Sequence, residues 1–108
     1  MMHADDIREY CIAKEDVEES FPFGPSALVF KTKGKIFLLV SLDEIPLRFN
    51  AKCDPEEAVQ LREDYPESVL PGYHMNKKHW NTVVVNGQIK DGLLRKMIDN
   101  SYLLVRKK

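Results

Sequence analysis

These 108 residues predict an α+β domain: a twisted, mainly antiparallel sheet of five to six strands flanked by an N-terminal, a middle and a C-terminal helix. Three observations lead there. Short runs of β-branched and aromatic residues are separated by tight-turn signals, Lys33-Gly34 and Asn86-Gly87, too short to hold a crossover helix. Helical spacing is confined to three segments, one near each end of the chain and one in the middle. With 44% hydrophobic and 31% charged residues the chain can bury a core, and its length suits a single domain over residues 1–108.

The first helix follows Asp5 or Asp6, either of which can cap it, and Asp6 and Glu9 stand at capping-box spacing. Ile7, Tyr10, Cys11 and Lys14 share a face, with Lys14 expected to fray into solvent. Val17 to Ser20 can begin a strand, and Phe21-Pro22-Phe23-Gly24-Pro25 makes a stiff turn. Ala27 to Thr32 and Lys35 to Leu42 are the next strands. Ile36 to Val40 is apolar at every position, as in a central strand covered on both faces. Leu47, Phe49 and Ala51 then alternate with Arg48, Asn50 and Lys52, one row for the core and one for water.

Asp54-Pro55-Glu56-Glu57 is the clearest helix start: a capping carboxylate, a proline where its missing N–H costs nothing, and acids at the positive dipole end. Pro66 ends that helix at Asp64 or Tyr65. Val69 to His74 is extended, interrupted by Pro71-Gly72, and Trp80 to Val85 is a further strand. The last helix runs from about Lys90 to Arg106, with Leu93, Leu94, Met97, Ile98, Ser101, Tyr102 and Val105 as its buried stripe.

Several functions are set aside at this level. No apolar run approaches the roughly 20 residues that span a bilayer, and the acidic start is unlike a signal peptide, so a cytoplasmic location without membrane contact is expected. Cys11 and Cys53 show no ligand spacing and read as reduced, largely buried thiols, while His74 and His79 lack the spacing of a helical metal pair. No metal or cofactor is expected. Phosphate-binding, nucleophile-elbow and zinc-protease motifs are absent, and the paired carboxylates sit where connections and helix ends favour acids. A Cys53 nucleophile with His74 or His79 as base would lack a third, orienting group. A non-enzymatic protein, monomeric, is the expectation.

The net charge of −1 excludes only indiscriminate coating of nucleic acid, because the charge is segregated. Residues 1–26 hold two basic and seven acidic side chains, and residues 54–68 hold one and six. By contrast, residues 27–53 hold five and two, 69–90 three and none, and 91–108 five and two. Folding could gather the basic blocks on one face.

The segment Pro71 to Thr82 concentrates the chemistry. His74, Asn76, Lys77, Lys78, His79, Trp80 and Asn81 provide cations for phosphates, amides as adaptable partners and an aromatic face for stacking. The competing reading is a loop entering a strand, with Trp80 in the core. Lys33 and Lys35 flank a turn that can act as a wing against a phosphate backbone, or simply keep a sheet edge soluble. The tail Arg106-Lys107-Lys108 complements the negative end of the last helix.

The run Pro71-Gly72-Tyr73-His74-Met75-Asn76-Lys77-Lys78-His79-Trp80-Asn81-Thr82-Val83 resembles the signature of the bacterial MmcQ/YjbR family. Phe21-Pro22-Phe23-Gly24, Lys52-Cys53-Asp54-Pro55-Glu56 and Ile98-Asp99-Asn100-Ser101-Tyr102 are similar to further segments of that family, in the same order. Lys90-Asp91-Gly92 departs from it, where a better helix cap is usual. The resemblance implies a CyaY-like fold and a double-wing DNA-binding protein. The expected function is therefore weak DNA binding, with Lys77 and Lys78 on phosphates, His74, Asn76, His79 and Asn81 hydrogen-bonding, and Lys33 and Lys35 as a wing. The alternative is a module that binds a protein partner or a small anionic ligand through the same His74–Asn81 loop.

Overall fold

The computed structural model describes residues 1–107, so Lys108 of the basic tail lies outside the described residues. The elements are α1 (Ala4–Ile12), β1 (Val17–Ser20), β2 (Ala27–Thr32), β3 (Lys35–Ser41), β4 (Arg48–Lys52), α2 (Pro55–Asp64), β5 (Val69–Pro71), β6 (Trp80–Val84) and α3 (Asp91–Arg106). The six strands form one sheet in the order β1-β2-β3-β4-β6-β5, and every neighbouring pair is antiparallel. The first four strands follow one another as a meander because each connection is short. After β4 the chain crosses through α2 to the far edge as β5 and returns as β6 between β5 and β4.

Side-chain alternation gives the sheet two unlike faces. Phe30, Leu38, Val40, Phe49, Ala51, Val83 and Val69 lie toward the helices and join Ile7, Cys11, Leu94, Met97, Ile98 and Val105 in the core. α3 lies across β3 and β4, and Leu61 of α2 and Met97 of α3 close over Ala51 and Val83. A register shift between Phe30 and Lys31 turns Phe37 inward beside Leu38, where its ring meets Tyr102 edge-on, centroids 5.3 Å apart. On the other, helix-free face, Ile36 and Leu39 are only half-buried, so β3 is covered fully on one side alone.

Three local readings are corrected. His3, rather than Asp5 or Asp6, stands at the N-cap of α1, and Asp6, three residues on, reaches back to accept from the His3 N–H through Oδ2 at 2.8 Å. Lys14 does not fray: its side chain is 18% exposed, and its Nζ lies 2.5 Å from Asp99 Oδ1 of α3 and over the Tyr10 and Tyr102 rings. The extended stretch after Val69 stops at Pro71, because the following loop must turn at His74, whose φ is +60°. α2 and α3 begin and end within a residue or two of expectation, with Asp54 Oδ2 accepting from the Glu56 and Glu57 N–H groups. Among the described residues no helix is long and apolar enough to cross a membrane.

Candidate nucleic-acid interface

Strand polarity decides which basic residues meet. β2, β4 and β5 end, and β3 and β6 begin, at one end of the sheet, as the pairings Thr32↔Lys35, Leu38↔Ala51, Lys52↔Trp80 and Pro71↔Asn81 require. The Lys33-Gly34 turn and the loop from Gly72 to His79 therefore project from the same end. Arg106, the last residue of α3, donates to Thr32 Oγ1 at 2.8 Å, which brings its guanidinium there too. Lys33, Lys35 and Lys52 of one basic block, Lys77 and Lys78 of a second and Arg106 of a third thus share one end, whereas Arg48, Lys90, Arg95 and Lys96 do not. Much of the acidic charge falls in the helical layer, on α1 and α2, and on the edge strand β1.

Each hairpin tip has a local reason for its shape. Lys33 and Gly34 have φ of +54° and +77°, the paired left-handed conformation of a two-residue hairpin loop. In the other loop the Asn76 carbonyl accepts from the His79 and Trp80 N–H groups at 3.1 and 2.9 Å, and Asn76 Oδ1 accepts from Lys78 N–H at 3.0 Å. Asn76 is thereby a turn former. Lys77 and Lys78 are exposed at the tip, as are Lys33 and Lys35 at theirs. His74 is exposed, its ring centroid 3.9 Å from that of Tyr73. Lys52, half-buried at the end of β4, lies between the two tips.

Trp80 and Asn81 do not stand with the exposed set. Trp80 is half-buried, and Gly72 N–H donates to its carbonyl at 2.9 Å. Gly72 is required there, since a β-carbon on it would come within 2.8 Å of Trp80 Cβ. Asn81 is 2% exposed; it points under α2, with Nδ2 3.4 Å from the Ala58 carbonyl, so it cannot reach a solvent-side partner. Alternation explains this, because Asn81 follows Trp80 and must face the helices.

Asn50 also departs from expectation. Alternation directs Arg48, Asn50 and Lys52 toward water, yet Asn50 is 8% exposed. The loop after β5 folds back over it: Asn50 Nδ2 donates to the Tyr73 carbonyl at 3.2 Å, Thr82 Oγ1 donates to Asn50 Oδ1 at 2.5 Å, and Tyr73 N–H donates to Thr82 Oγ1 at 2.9 Å. This network anchors the second hairpin to the helix-free face.

Cys53 and His79 are neighbours through the backbone, Cys53 N–H donating to the His79 carbonyl at 2.7 Å. The chemistry of a nucleophile is nevertheless unfavourable. Burial, with the Glu57 and Asp54 charges, pushes the Cys53 thiol up to about 11, and burial pushes Cys11 to about 12. Both cysteines are free. Among the described residues no three His, Cys, Asp or Glu side chains converge as a metal site would require.

A model of the YjbR family matches residues 12–104. The chain is 48% identical over 90 residues to an Escherichia coli O157:H7 protein named uncharacterized protein YbdF, covering 82% of this chain and 72% of that one. It is 32% identical over 101 residues to uncharacterized protein YjbR of Escherichia coli K12, covering 94% of this chain and 85% of that one. Among solved structures, Deinococcus radiodurans protein DR2400, a DUF419 domain, superposes with a TM-score of 0.95 at 42% identity over 100% of this chain and 81% of its own. A Pseudomonas syringae protein superposes with a TM-score of 0.78 at 25% identity, covering 95% of this chain and 98% of its own.

Proposed function

The chain belongs to the YjbR family, and from that premise we propose that it is a non-enzymatic cytoplasmic protein that binds duplex DNA weakly, as a monomer, through the hairpin end of its sheet. The observation that carries the reading is the common projection of two lysine-bearing tips. Their midlines are three strand spacings apart in the order β2-β3-β4-β6-β5, which at roughly 4.8 Å per spacing is about 14 Å. A major groove is about 12 Å wide, so two wings at that separation suit the phosphate walls on either side of it.

Lys33 and Lys35 serve one wall and Lys77 and Lys78 the other, with Lys52 between them. His74 and His79 supply hydrogen-bonding groups beside the second wing, and Asn76 holds its shape. Phosphate contacts of this kind give affinity and register but no sequence preference. Of the acids close to this end, Asp16 lies 3.7 Å from Arg106 and Asp54 caps α2, while Glu15, Glu56 and Glu57 are exposed and oppose a phosphate there. A ligand anchored on Trp80 fits less well, since that residue is half-buried behind Gly72.

The test is the anisotropy of a labelled duplex as salt is raised. Four or five phosphate contacts correspond to a log–log slope of about −4, and the double variant Lys77→Gln/Lys78→Gln should bring it to about −2. No binding at low salt, or a slope indifferent to those substitutions, would refute the proposal.

A further inference from the structure

The helix-free face runs up to the hairpin end, and its composition is not that of a solvated surface. Nearest the tips, Lys31 of β2 is opposite Ile36 of β3, and Lys52 of β4 is opposite Trp80 of β6. One row further in, Val29, Leu39, Asn50, Thr82 and Leu70 each stand opposite the next. Ile36, Leu39, Trp80 and Leu70 are half-buried, so apolar surface continues from β3 to β5. Tyr73 stands over it and is 69% exposed. Its bonds to Asn50 and Thr82 are made by its backbone, so its ring is not needed to hold the loop, and the His74 ring lies beside it at 3.9 Å. Lys31 and Lys52 share the face, half-buried, and neither is ion-paired among the described residues. In such a setting the stem of a lysine covers apolar surface and its ammonium stays at the water. The acids are marginal: Glu18 is opposite Lys31 on the edge strand, and Glu44 lies 3.7 Å from Arg48 at the far end.

Duplex DNA hides its base faces in its own stack and meets the wing lysines through phosphates, which leaves this aromatic and apolar surface unused. Unpaired bases need such a surface, with cations beside it for the backbone. We infer that the helix-free face receives an unpaired DNA strand continuing from the duplex held at the tips. One base stacks on Tyr73, the next lies over Leu39 and Ile36, and the phosphates follow Lys52 and Lys31. This site rests on the DNA-binding reading above and narrows its substrate to duplex DNA with a single-stranded end. Asn50 and Thr82 are bonded to each other and to the Tyr73 backbone, so the strand is held by stacking and charge without reading its sequence.

Anisotropy of three labelled DNAs tests the assignment: a blunt duplex, the same duplex with an overhang of about six thymidines at its 3′ or 5′ end, and one whose overhang is abasic. The thymidine overhang should bind about fivefold or more tighter than the blunt duplex, the worth of a single stacked base, and the abasic overhang should lose most of that gain although it keeps every phosphate. Tyr73→Ala should abolish the gain and leave the blunt duplex unaffected, while Tyr73→Phe keeps it. Lys77→Gln/Lys78→Gln should weaken blunt and overhang DNA alike. The inference is overturned if the blunt duplex binds and the thymidine overhang adds nothing, if the abasic overhang binds as tightly, or if Tyr73→Ala weakens both DNAs equally. A blunt duplex that fails to bind refutes the wings instead: an overhang still held through Tyr73 would then support this face alone, and no binding of any of the three DNAs would end both.

Discussion

Ser101 offers the sharpest test of how the hairpin end is held together. Its hydroxyl, fully buried on α3, accepts from the Lys52 N–H at 2.8 Å and donates to the Phe37 carbonyl at 2.5 Å. Phe37 and Lys52 are the next pair beyond Leu38↔Ala51, so one side chain joins the backbones of β3 and β4 where their ladder ends. Ser101→Ala removes both bonds and leaves a donor and an acceptor without partners in a closed site. Each such group costs about 1–3 kcal/mol, and Lys52 is only half-buried, so a combined loss of about 2–4 kcal/mol is expected. For a domain of this size that is a fall in Tm of about 10 °C or more. Urea unfolding followed by circular dichroism measures it, with Leu103→Ala on the same helix, at a residue 61% exposed, as the control that should change little. A loss below about 1 kcal/mol with an unchanged m-value would show that Ser101 fills space rather than bridging strands.

Three further outcomes follow from the geometry. Gly72→Ala drives a β-carbon to 2.8 Å from Trp80 Cβ and 2.9 Å from the Trp80 carbonyl oxygen, so thermal melts should show a loss of about 1–3 kcal/mol, with the largest amide shifts between Tyr73 and Trp80. With its thiol near 11 against an ordinary 9, Cys53 should react with iodoacetamide at pH 8 about a hundredfold more slowly than an unhindered cysteine; rapid labelling of the folded protein would contradict its buried, acid-flanked setting. Paired hydrogen bonds from Arg8, at 2.8 and 2.7 Å, hold the Glu19 carboxyl below its ordinary 4.5. A lowered carboxyl stabilises the fold above its unfolded value and loses that effect as pH falls through its folded value. The stability difference between the wild-type chain and Glu19→Gln should therefore shrink as pH drops below about 4.5, and should also shrink with salt because the pair is at the surface.

Local chemistry made the element map legible. The Asp54-Pro55 start, the Lys33-Gly34 turn and the strand ending at Lys52 each rest on signals within a few residues, and each appears where those signals put it. What failed depended on partners far along the chain. Lys14 looked like a fraying end because its acceptor, Asp99, is 85 positions away. Asn50 looked solvated because nothing in β4 announces that the Tyr73 backbone will cover it from 23 positions downstream. Asn81 belonged to an attractive motif, but the motif straddles the start of β6, where alternate residues face opposite sides. The meeting of Lys33 and Lys35 with Lys77 and Lys78 at one end was likewise hidden in the strand order. β6 returning between β4 and β5, rather than outside them, sets the separation of the two tips.

Among the described residues, three other than glycine adopt positive φ: Asp16 at +59°, Lys33 at +54° and His74 at +60°. All three belong to connections at the hairpin end, the first just before Val17, which pairs with Thr32. Left-handed backbone costs a side-chain-bearing residue roughly 1–2 kcal/mol, and glycine or asparagine relieves it. Selection for thermal stability alone would therefore start by replacing Lys33 and His74, two of the groups assigned here to DNA. A hardened version of this domain would keep its fold while losing one lysine and one imidazole from the end proposed to meet DNA, so stability and the proposed binding would pull these two positions in opposite directions.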